Sequence, residues 1–218
     1  MIFVYRTSVV GPSGIPLSDY EEGAIIKLNE GGSPVEFYVA KHDYESGLNG
    51  AGRTLVVRKD VYDNRVWDSG NVNAYASSDL DTWFNGTYKN LLDPAIQTAI
   101  GTTKFYYTPG NGNNTVGTLE RAIFALSITE LGRSSSYDNT EGSALPIAST
   151  LRIAYRNGSP TSQWTRSPNT DNTESAWELG SNGSVYHGAQ SHGSSGSRPT
   201  FTLPSTLLFN PDTNEVVT

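Results

Sequence analysis

The sequence predicts an α+β fold made of short antiparallel strands, a few short helices and much loop. Composition supports this prediction in two ways, because 22 glycines and 11 prolines interrupt the chain and only 17% of its residues are charged. Such material suits short strands joined by shaped turns and does not suit long helices. The local pattern agrees, since short apolar runs alternate with turn residues along most of the chain.

The clearest strand pattern lies in the first quarter of the chain. Residues 24–28 and 35–40 flank the turn sequence Gly31-Gly32-Ser33, which predicts an antiparallel hairpin. Residues 53–58 predict a third strand. Later strands are predicted around Trp164, Trp177, residues 185–186 and Phe201, with a last hairpin that joins residues 207–209 to 216–217.

Helices are predicted where a capping residue precedes an apolar face. Ser78 has an acid three positions later, and Asp93 is followed by proline, so each is expected to cap a short helix. A capping box also predicts a one-turn helix at residues 127–132. A further helix is predicted at residues 147–155, with the pair Asn157-Gly158 as its stop.

The domain prediction is an N-terminal arm or edge strand at residues 1–22 followed by one domain at residues 23–218. The absence of cysteine excludes disulfides and thiolate metal sites. A net charge of −7 would repel phosphate backbones, so no nucleic-acid partner is expected. No apolar run approaches the roughly 18 residues of a membrane-spanning helix, so no membrane insertion is expected.

Binding is the predicted function class, and residues 169–196 are its predicted location. This insert consists mainly of Asn, Thr, Ser, Gly, Asp, His and Tyr, and it lies between two apolar, proline-punctuated strands. A rigid frame that holds polar loops is typical of ligand-binding surfaces. The candidate contact residues share this position in the chain: Asn169, Asp171, Asn172, Trp177, Tyr186, His187 and His192.

Aromatic side chains are the strongest of these candidates, because they supply contact area at low entropic cost among adaptable polar residues. Trp177 has an equally weighted alternative as a core residue of a strand. A structural role is expected for the frame residues Trp164, Arg166, Arg198 and Phe201. In particular, each arginine guanidinium is expected to tie several loop carbonyls together.

No enzymatic activity, metal or cofactor is expected. His42, His187 and His192 lack the spacing of a helical zinc motif, and no nucleophile elbow is present. A glycan hydrolase that uses Glu174 and Glu178, or Asp171, is the weakest alternative, because paired carboxylates are defined by their distance in space.

Several short motifs, taken in order, resemble those of a domain of unknown function that is common in phage structural proteins and in surface proteins of Gram-positive gut bacteria. The motifs are Ser78-x-Leu80-x-x-Trp83-x-Asn85, a strand ending in a Ser-x-x-Glu turn at residues 122–130, Trp164-x-Arg166-Ser167-Pro168, and Arg198-Pro199-x-Phe201-x-Leu203-Pro204. The resemblance implies a C-type-lectin-like fold, similar to the variable ligand-binding proteins of diversity-generating retroelements and to the formylglycine-generating enzyme group.

The resemblance also implies a partner and a place. The expected ligand is a host-surface glycan or protein, bound through residues 164–196 on the surface of a virion or of a bacterial cell. The polar composition of the insert matches the residue types that adenine-directed mutation yields, although ordinary turn chemistry gives the same composition. The alternative is a capsid or tail decoration subunit whose arm binds other virion subunits; whether the chain assembles with copies of itself is left open.

Overall fold

The computed structural model describes residues 14–189 and 195–217. Its strands are β1 (Ile15–Pro16), β2 (Ile25–Glu30), β3 (Ser33–Lys41), β4 (Arg53–Arg58), β5 (Thr103–Tyr107), β6 (Gly117–Arg121), β7 (Ile123–Phe124), β8 (Ala154–Arg156), β9 (Ser159–Thr161), β10 (Gln163–Pro168), β11 (Ser175–Leu179), β12 (Val185–Ala189), β13 (Thr200–Pro204) and β14 (Leu208–Phe209). The α-helices are α1 (Ser46–Asn49), α2 (Asp79–Trp83), α3 (Pro94–Ala99) and α4 (Ala148–Leu151). This is the predicted α+β class, with small antiparallel sheets and few short helices.

The largest sheet has the strand order β2-β3-β4-β13-β7, and all of its neighbouring strands are antiparallel. Strand β13, from the C-terminal part of the chain, lies between β4 and β7. Phe201 on β13 is fully buried and pairs with Val56 on one side and Ile123 on the other. Its ring centroid lies 5.5 Å from that of Phe37 on β3. The sheet therefore joins distant parts of the sequence around one aromatic core.

A second sheet, of order β10-β11-β12, contains two strands from the predicted insert. Ala176, Trp177 and Leu179 on β11 are buried, and β11 pairs along its whole length with β12. The strands predicted around Trp177 and residues 185–186 are therefore confirmed. The buried apolar residues in the described part of the insert lie on β11, whose neighbouring side chains point to opposite faces of the sheet, and both faces bury apolar groups.

The two predicted helix caps are confirmed. The side-chain oxygen of Ser78 accepts a hydrogen bond from the backbone N–H of Asp81 at 3.1 Å, which caps α2. The side chain of Asp93 accepts from the N–H of Ala95 at 2.9 Å, and Pro94 occupies the first position of α3. A turn of π-helix, Phe84–Tyr88, extends α2 and buries Phe84 and Tyr88.

The predicted helix at residues 147–155 is wrong in its second half. Helix α4 ends at Leu151, and Ala154 already begins strand β8, which pairs with β9. Asn157 and Gly158 have φ values of 51° and 78°, the backbone signs of a two-residue hairpin turn. The Asn-Gly pair, predicted as a helix stop, is therefore the turn of a hairpin.

Two other local differences have simple causes. The capping box at Ser127 and Glu130 forms as predicted, with reciprocal bonds of 2.8 and 3.0 Å, but it closes a turn rather than a helix. The hairpin of β5 and β6 was not predicted, because the loop between the two strands reads as an isolated polar stretch.

The described part of the N-terminal arm packs on the domain itself. Ile15 and Pro16 pair with Phe209 and Leu208 of β14, and Leu17 is fully buried. The remainder of the predicted arm, residues 1–13, lies outside the described residues. None of the helices in the described ranges is long and apolar enough to cross a membrane.

The position of Phe201 predicts a large loss of stability on truncation. Phe201→Ala should lower the free energy of unfolding by about 3–5 kcal/mol, because it leaves a cavity at the centre of the main sheet. Urea denaturation followed by tryptophan fluorescence measures this change. Phe201→Leu, the control, should cost much less, and equal losses for both variants would contradict the proposed packing.

Candidate functional site

The buried centre below the predicted binding face is an ion pair between Arg166 and Glu130. Both side chains are fully buried, and Nη1 of Arg166 lies 2.6 Å from a carboxylate oxygen of Glu130. The guanidinium also donates to the carbonyl oxygens of Ala125 and Tyr106 at 2.9–3.0 Å. It lies over the ring of Phe105, 4.7 Å from the centroid. Arg166 therefore joins three chain segments, as a clamp between loop carbonyls should.

Two further buried groups complete this centre. The hydroxyl of Tyr44 donates to the other carboxylate oxygen of Glu130. Glu141 accepts from the backbone N–H of Thr108 and from the hydroxyl of Ser167, both at 2.5 Å. We call these four residues, Arg166, Glu130, Tyr44 and Glu141, the buried charge cluster.

Burial and charge act in opposite directions in the buried charge cluster. Burial alone would lower the pKa of the Arg166 guanidinium, but Glu130 and its other partners raise it above its ordinary value. Burial raises the pKa of the Glu141 carboxyl, and Arg166 partly offsets this effect. Burial also raises the pKa of Tyr44, and the neighbouring Glu130 raises it further.

Two polar loops meet at the side chain of Asn73. Its Nδ2 donates to the carbonyl oxygens of Asn169, Asn172 and Ser175 at 2.8–3.0 Å. Its Oδ1 accepts from the backbone N–H of Asn111 at 2.6 Å. Asn73 is fully buried, so one amide side chain connects the loop after β10 with the loop after β5.

The third loop is attached through main-chain atoms as well. The carbonyl oxygen of Tyr137 accepts from the N–H of Thr170 at 2.9 Å and from Nε1 of Trp177 at 3.1 Å. Asn139 donates to the carbonyl of Asn114, and Asn114 donates to that of Thr170. We call residues 108–116, 134–142 and 169–175 together the loop platform.

Gly110 shows how closely the loop platform is packed. A β-carbon at this position would lie 1.9 Å from the carbonyl oxygen of Asn73, and the backbone has a φ of 77°. Both the space and the conformation therefore require glycine. The loop platform is an ordered surface although its exposed residues are polar.

Two of the candidate contact residues are corrected by their burial. Asn169 is 4% exposed, and its side chain accepts from the N–H of Asp171. Trp177 is 5% exposed, and its indole packs in the core and meets the ring of His187 edge-on at 5.8 Å. Neither side chain is presented to a ligand, so both shape the surface from below.

The remaining candidates are divided between two faces. Asp171 and Asn172 are exposed on the loop platform, and His187 is exposed next to Trp177 on the same face of the sheet. Tyr186 is the neighbour of His187 along β12 and therefore points to the opposite face. His192 lies outside the described residues. Sequence reasoning placed these residues in one site, and the structure separates Tyr186 from the others.

Tyr186 lies in a cleft of about 500 Å³ between the β8–β9 hairpin and the β11–β12 hairpin. We call it the Tyr186 cleft. Its lining consists of Pro160, Thr161, Ser162, Glu178, Gly180, Ser181, Asn182 and Tyr186. Tyr186 is 49% exposed, and burial raises the pKa of the Glu178 carboxyl.

The other predicted structural residues are buried. Trp164 donates from Nε1 to the carbonyl of Arg65 at 2.9 Å. Arg198 is 4% exposed and donates to the carbonyls of Arg58, Leu151 and Lys59 at 2.7–2.8 Å. Unlike Arg166, it makes no ion pair with an acid among the described residues, and carbonyl oxygens supply its partners.

The described residues contain no group of three or more His, Cys, Asp or Glu side chains that could hold a metal ion. Glu178 lies near one end of β11 and Glu174 just beyond the other end. The glycan hydrolase that would use this pair stays a prediction, because paired carboxylates are defined by the distance between their carboxyl groups.

Sequence reasoning missed Asn73, Glu130 and Glu141 as organising residues. Glu130 was identified only as half of a capping box, and Asn73 and Glu141 stand in polar stretches with no motif. Their role depends on partners 26 to 102 residues away in the chain. Burial of these polar groups against distant segments is the signal, and a single sequence does not show it.

Comparison with known proteins gives one match. The family model described as a domain of unknown function (DUF6273) matches residues 51–205, more than half of the chain. The matched range contains Asn73, Arg166, Glu130 and the cleft. No curated protein and no solved structure matches the chain.

The position of Asn73 predicts a local loosening of the loop platform. Asn73→Asp replaces the Nδ2 donor by an acceptor that faces three carbonyl oxygens, so the variant should lose about 1–3 kcal/mol of stability. Amide hydrogen exchange should increase first in residues 169–175. Asn90→Asp, at an exposed position, serves as the control and should change neither quantity. Unchanged exchange in Asn73→Asp would show that the loops are ordered by other contacts.

The ion pair predicts strong coupling between Arg166 and Glu130. Arg166→Met alone should cost about 3–5 kcal/mol, because it leaves the Glu130 carboxylate buried without its cation. The double variant Arg166→Met/Glu130→Gln should recover part of this loss. Chemical denaturation of the two singles and the double gives the coupling energy, and simple additivity would contradict a direct pair.

Proposed function

This chain belongs to the family described as a domain of unknown function (DUF6273), and from that premise we propose that it is a ligand-recognition domain with a C-type-lectin-like fold. Its place is the surface of a phage virion or of a bacterial cell, and its ligand is a glycan or protein on a host surface. The contact surface is the loop platform together with His187. The lectin-like relationship and the phage or gut-bacterial context come from the sequence resemblance.

The observation that carries this proposal is the order of the loop platform. Most of its exposed residues are polar and contribute little apolar burial of their own, so ordering them costs conformational entropy. Asn73 and the carbonyl of Tyr137 offset this cost with hydrogen bonds to the main chain of residues 169–175. A surface that is fixed before a ligand arrives loses less entropy on binding, which supports a recognition role.

The exposed side chains suit adaptable recognition. Tyr137 is 49% exposed, and Asp171 and His187 are exposed beside it on the loop platform and the adjacent strand. An aromatic ring provides contact area, while carboxylate and imidazole groups provide hydrogen bonds of both kinds. The net charge of −7 disfavours nucleic acid as the ligand.

The alternative function is a decoration subunit that recognises no ligand. The observation that favours it is the edge formed by β1 and β14, where Ile15 is 37% exposed at the point where the chain enters from residues 1–13. The partly exposed apolar side chain of Ile15 offers a neighbouring subunit a contact, although a strand of two residues offers only a short edge for pairing. The two functions are compatible, because the edge and the loop platform use different residues.

The recognition proposal predicts that binding to cells depends on exposed side chains of the loop platform. Fluorescently labelled protein is incubated with a panel of intact Gram-positive bacteria and compared with the variant Tyr137→Ala/Asp171→Ala/His187→Ala. None of these three side chains makes a hydrogen bond to the described residues, so the variant should keep the wild-type melting temperature. Its binding should fall at least about tenfold, because several contacts are lost together.

The control for this experiment is Asn90→Ala/Asp212→Ala, which truncates two exposed residues outside the loop platform. It should bind like the wild type. Equal binding by the loop-platform variant, or absence of binding across the panel with assembly into particles, would reject recognition and favour the decoration role.

A further inference from the structure

We propose that the Tyr186 cleft is a separate binding site for an uncharged saccharide, which stacks on Tyr186 and donates a hydroxyl hydrogen bond to Glu178. This site lies on the opposite face of the β10-β11-β12 sheet from His187 and shares no residue with the loop platform. The inference therefore does not depend on recognition by the loop platform, and each can fail alone.

The ring of Tyr186 is held in a fixed position for stacking. A β-carbon at Gly180 would lie 2.7 Å from the Tyr186 ring, so the ring rests directly on the backbone of the β11–β12 hairpin. The ring is nevertheless 49% exposed, so part of it faces the cleft and solvent. A supported, half-exposed aromatic ring offers the apolar platform on which the C–H face of a pyranose packs, at little entropic cost.

Glu178 supplies the polar half of the site. It pairs with Tyr186 across the two strands, so both side chains lie on the same face. Its Oε2 is buried and has no hydrogen-bond partner among the described residues. A buried acceptor without a partner is costly, so a donor that reaches this carboxylate from the cleft, which Glu178 helps to line, would stabilise it. A sugar hydroxyl is such a donor.

A glycine lies next to this carboxyl group. A β-carbon at Gly188 would lie 3.0 Å from the ring of Trp164 and 3.6 Å from the carboxyl carbon of Glu178. Trp164 pairs with Glu178 across β10 and β11. The carboxyl group is therefore held beside an indole ring and bare backbone.

The remaining lining groups define the class of ligand. Thr161, Ser162, Ser181 and Asn182 are small and uncharged, and they can both donate and accept hydrogen bonds. No lysine or arginine lines the cleft, and the chain carries a net charge of −7. Acidic sugars would meet Glu178 without a compensating cation, so neutral saccharides are favoured. The volume of about 500 Å³ falls within the roughly 300–1,000 Å³ of small-molecule sites.

Saturation-transfer NMR with a set of neutral methyl pyranosides and their short oligosaccharides tests the proposal. The wild type should bind at least one neutral member, and Tyr186→Ala should weaken that binding at least about tenfold. The control is Asn90→Ala/Asp212→Ala, which truncates two exposed residues outside both the cleft and the loop platform. It should leave saccharide binding unchanged, and because Tyr186 lies outside the loop platform, weaker binding by Tyr186→Ala separates this test from that of the proposed function.

Glu178→Gln provides a second readout that does not depend on finding the best sugar. Burial raises the pKa of Glu178, so its ionised form is disfavoured in the folded state, and this cost is absent at low pH and grows as the pH rises through the raised pKa. The neutral variant should therefore melt at a higher temperature than the wild type at pH 7 and at an equal one at acidic pH. It should also bind the neutral saccharide more weakly.

Several outcomes would overturn the proposal. The first is that no neutral saccharide binds. The second is that matched uronic-acid oligosaccharides bind equally well. The third is that the polycation spermidine displaces the saccharide, which would show that the cleft prefers cations. A lower melting temperature for Glu178→Gln at pH 7 would show that Oε2 is already satisfied, and would remove the reason for a hydroxyl donor.

Discussion

The pairing of Arg166 with Glu130 determines how the rest of this domain is put together. A guanidinium cannot be buried without partners, so the chain must bring Glu130 and the carbonyls of Ala125 and Tyr106 to it. These partners belong to the β5–β6 hairpin and to the segment after β7, which fixes both against β10. Glu141, held by Ser167 next to Arg166, then attaches the loop that carries Tyr137. One cation thus specifies the relative position of four segments that have no continuous hydrogen-bonded ladder between them.

In the loop platform, hydrogen bonds between polar groups take the place of apolar burial. The main sheet is stabilised in the usual way, by rings such as Phe37, Phe201, Phe105 and Phe124 packed inside it. The loop platform has no equivalent, and its residues are fixed through Asn73, Tyr137 and the buried charge cluster. Such hydrogen bonds each contribute little net stability but are expensive to leave unmade, so they specify one arrangement more than they strengthen it. Replacing a residue should therefore leave a cavity in the main sheet but unmade hydrogen bonds in the loop platform.

The sequence predicts what is local and misses what depends on distant partners. The α+β class, the hairpin of β2 and β3, strand β4 and the caps Ser78 and Asp93 follow from patterns within a few residues, and each is present. The helix predicted at residues 147–155 is wrong in its second half, because Asn157-Gly158 suits a helix stop and a hairpin turn equally well. Only the pairing of β8 with β9 distinguishes the two. In the candidate site, alternation along β12 could have separated Tyr186 from His187, whereas nothing local marks Asn73 or the unpartnered oxygen of Glu178.

The contacts of Asn73 determine which positions of residues 169–175 can change by mutation without loss of the loop's shape. Asn73 contacts the main chain of Asn169, Asn172, Thr173 and Ser175, and main-chain atoms are the same whatever the side chain. Substitution at Asp171, Thr173 or Glu174 therefore changes the chemistry of the exposed surface without removing what shapes it. Under the proposed recognition role, these positions can therefore change the chemistry that a ligand would meet, while Asn73 keeps the shape of the loop.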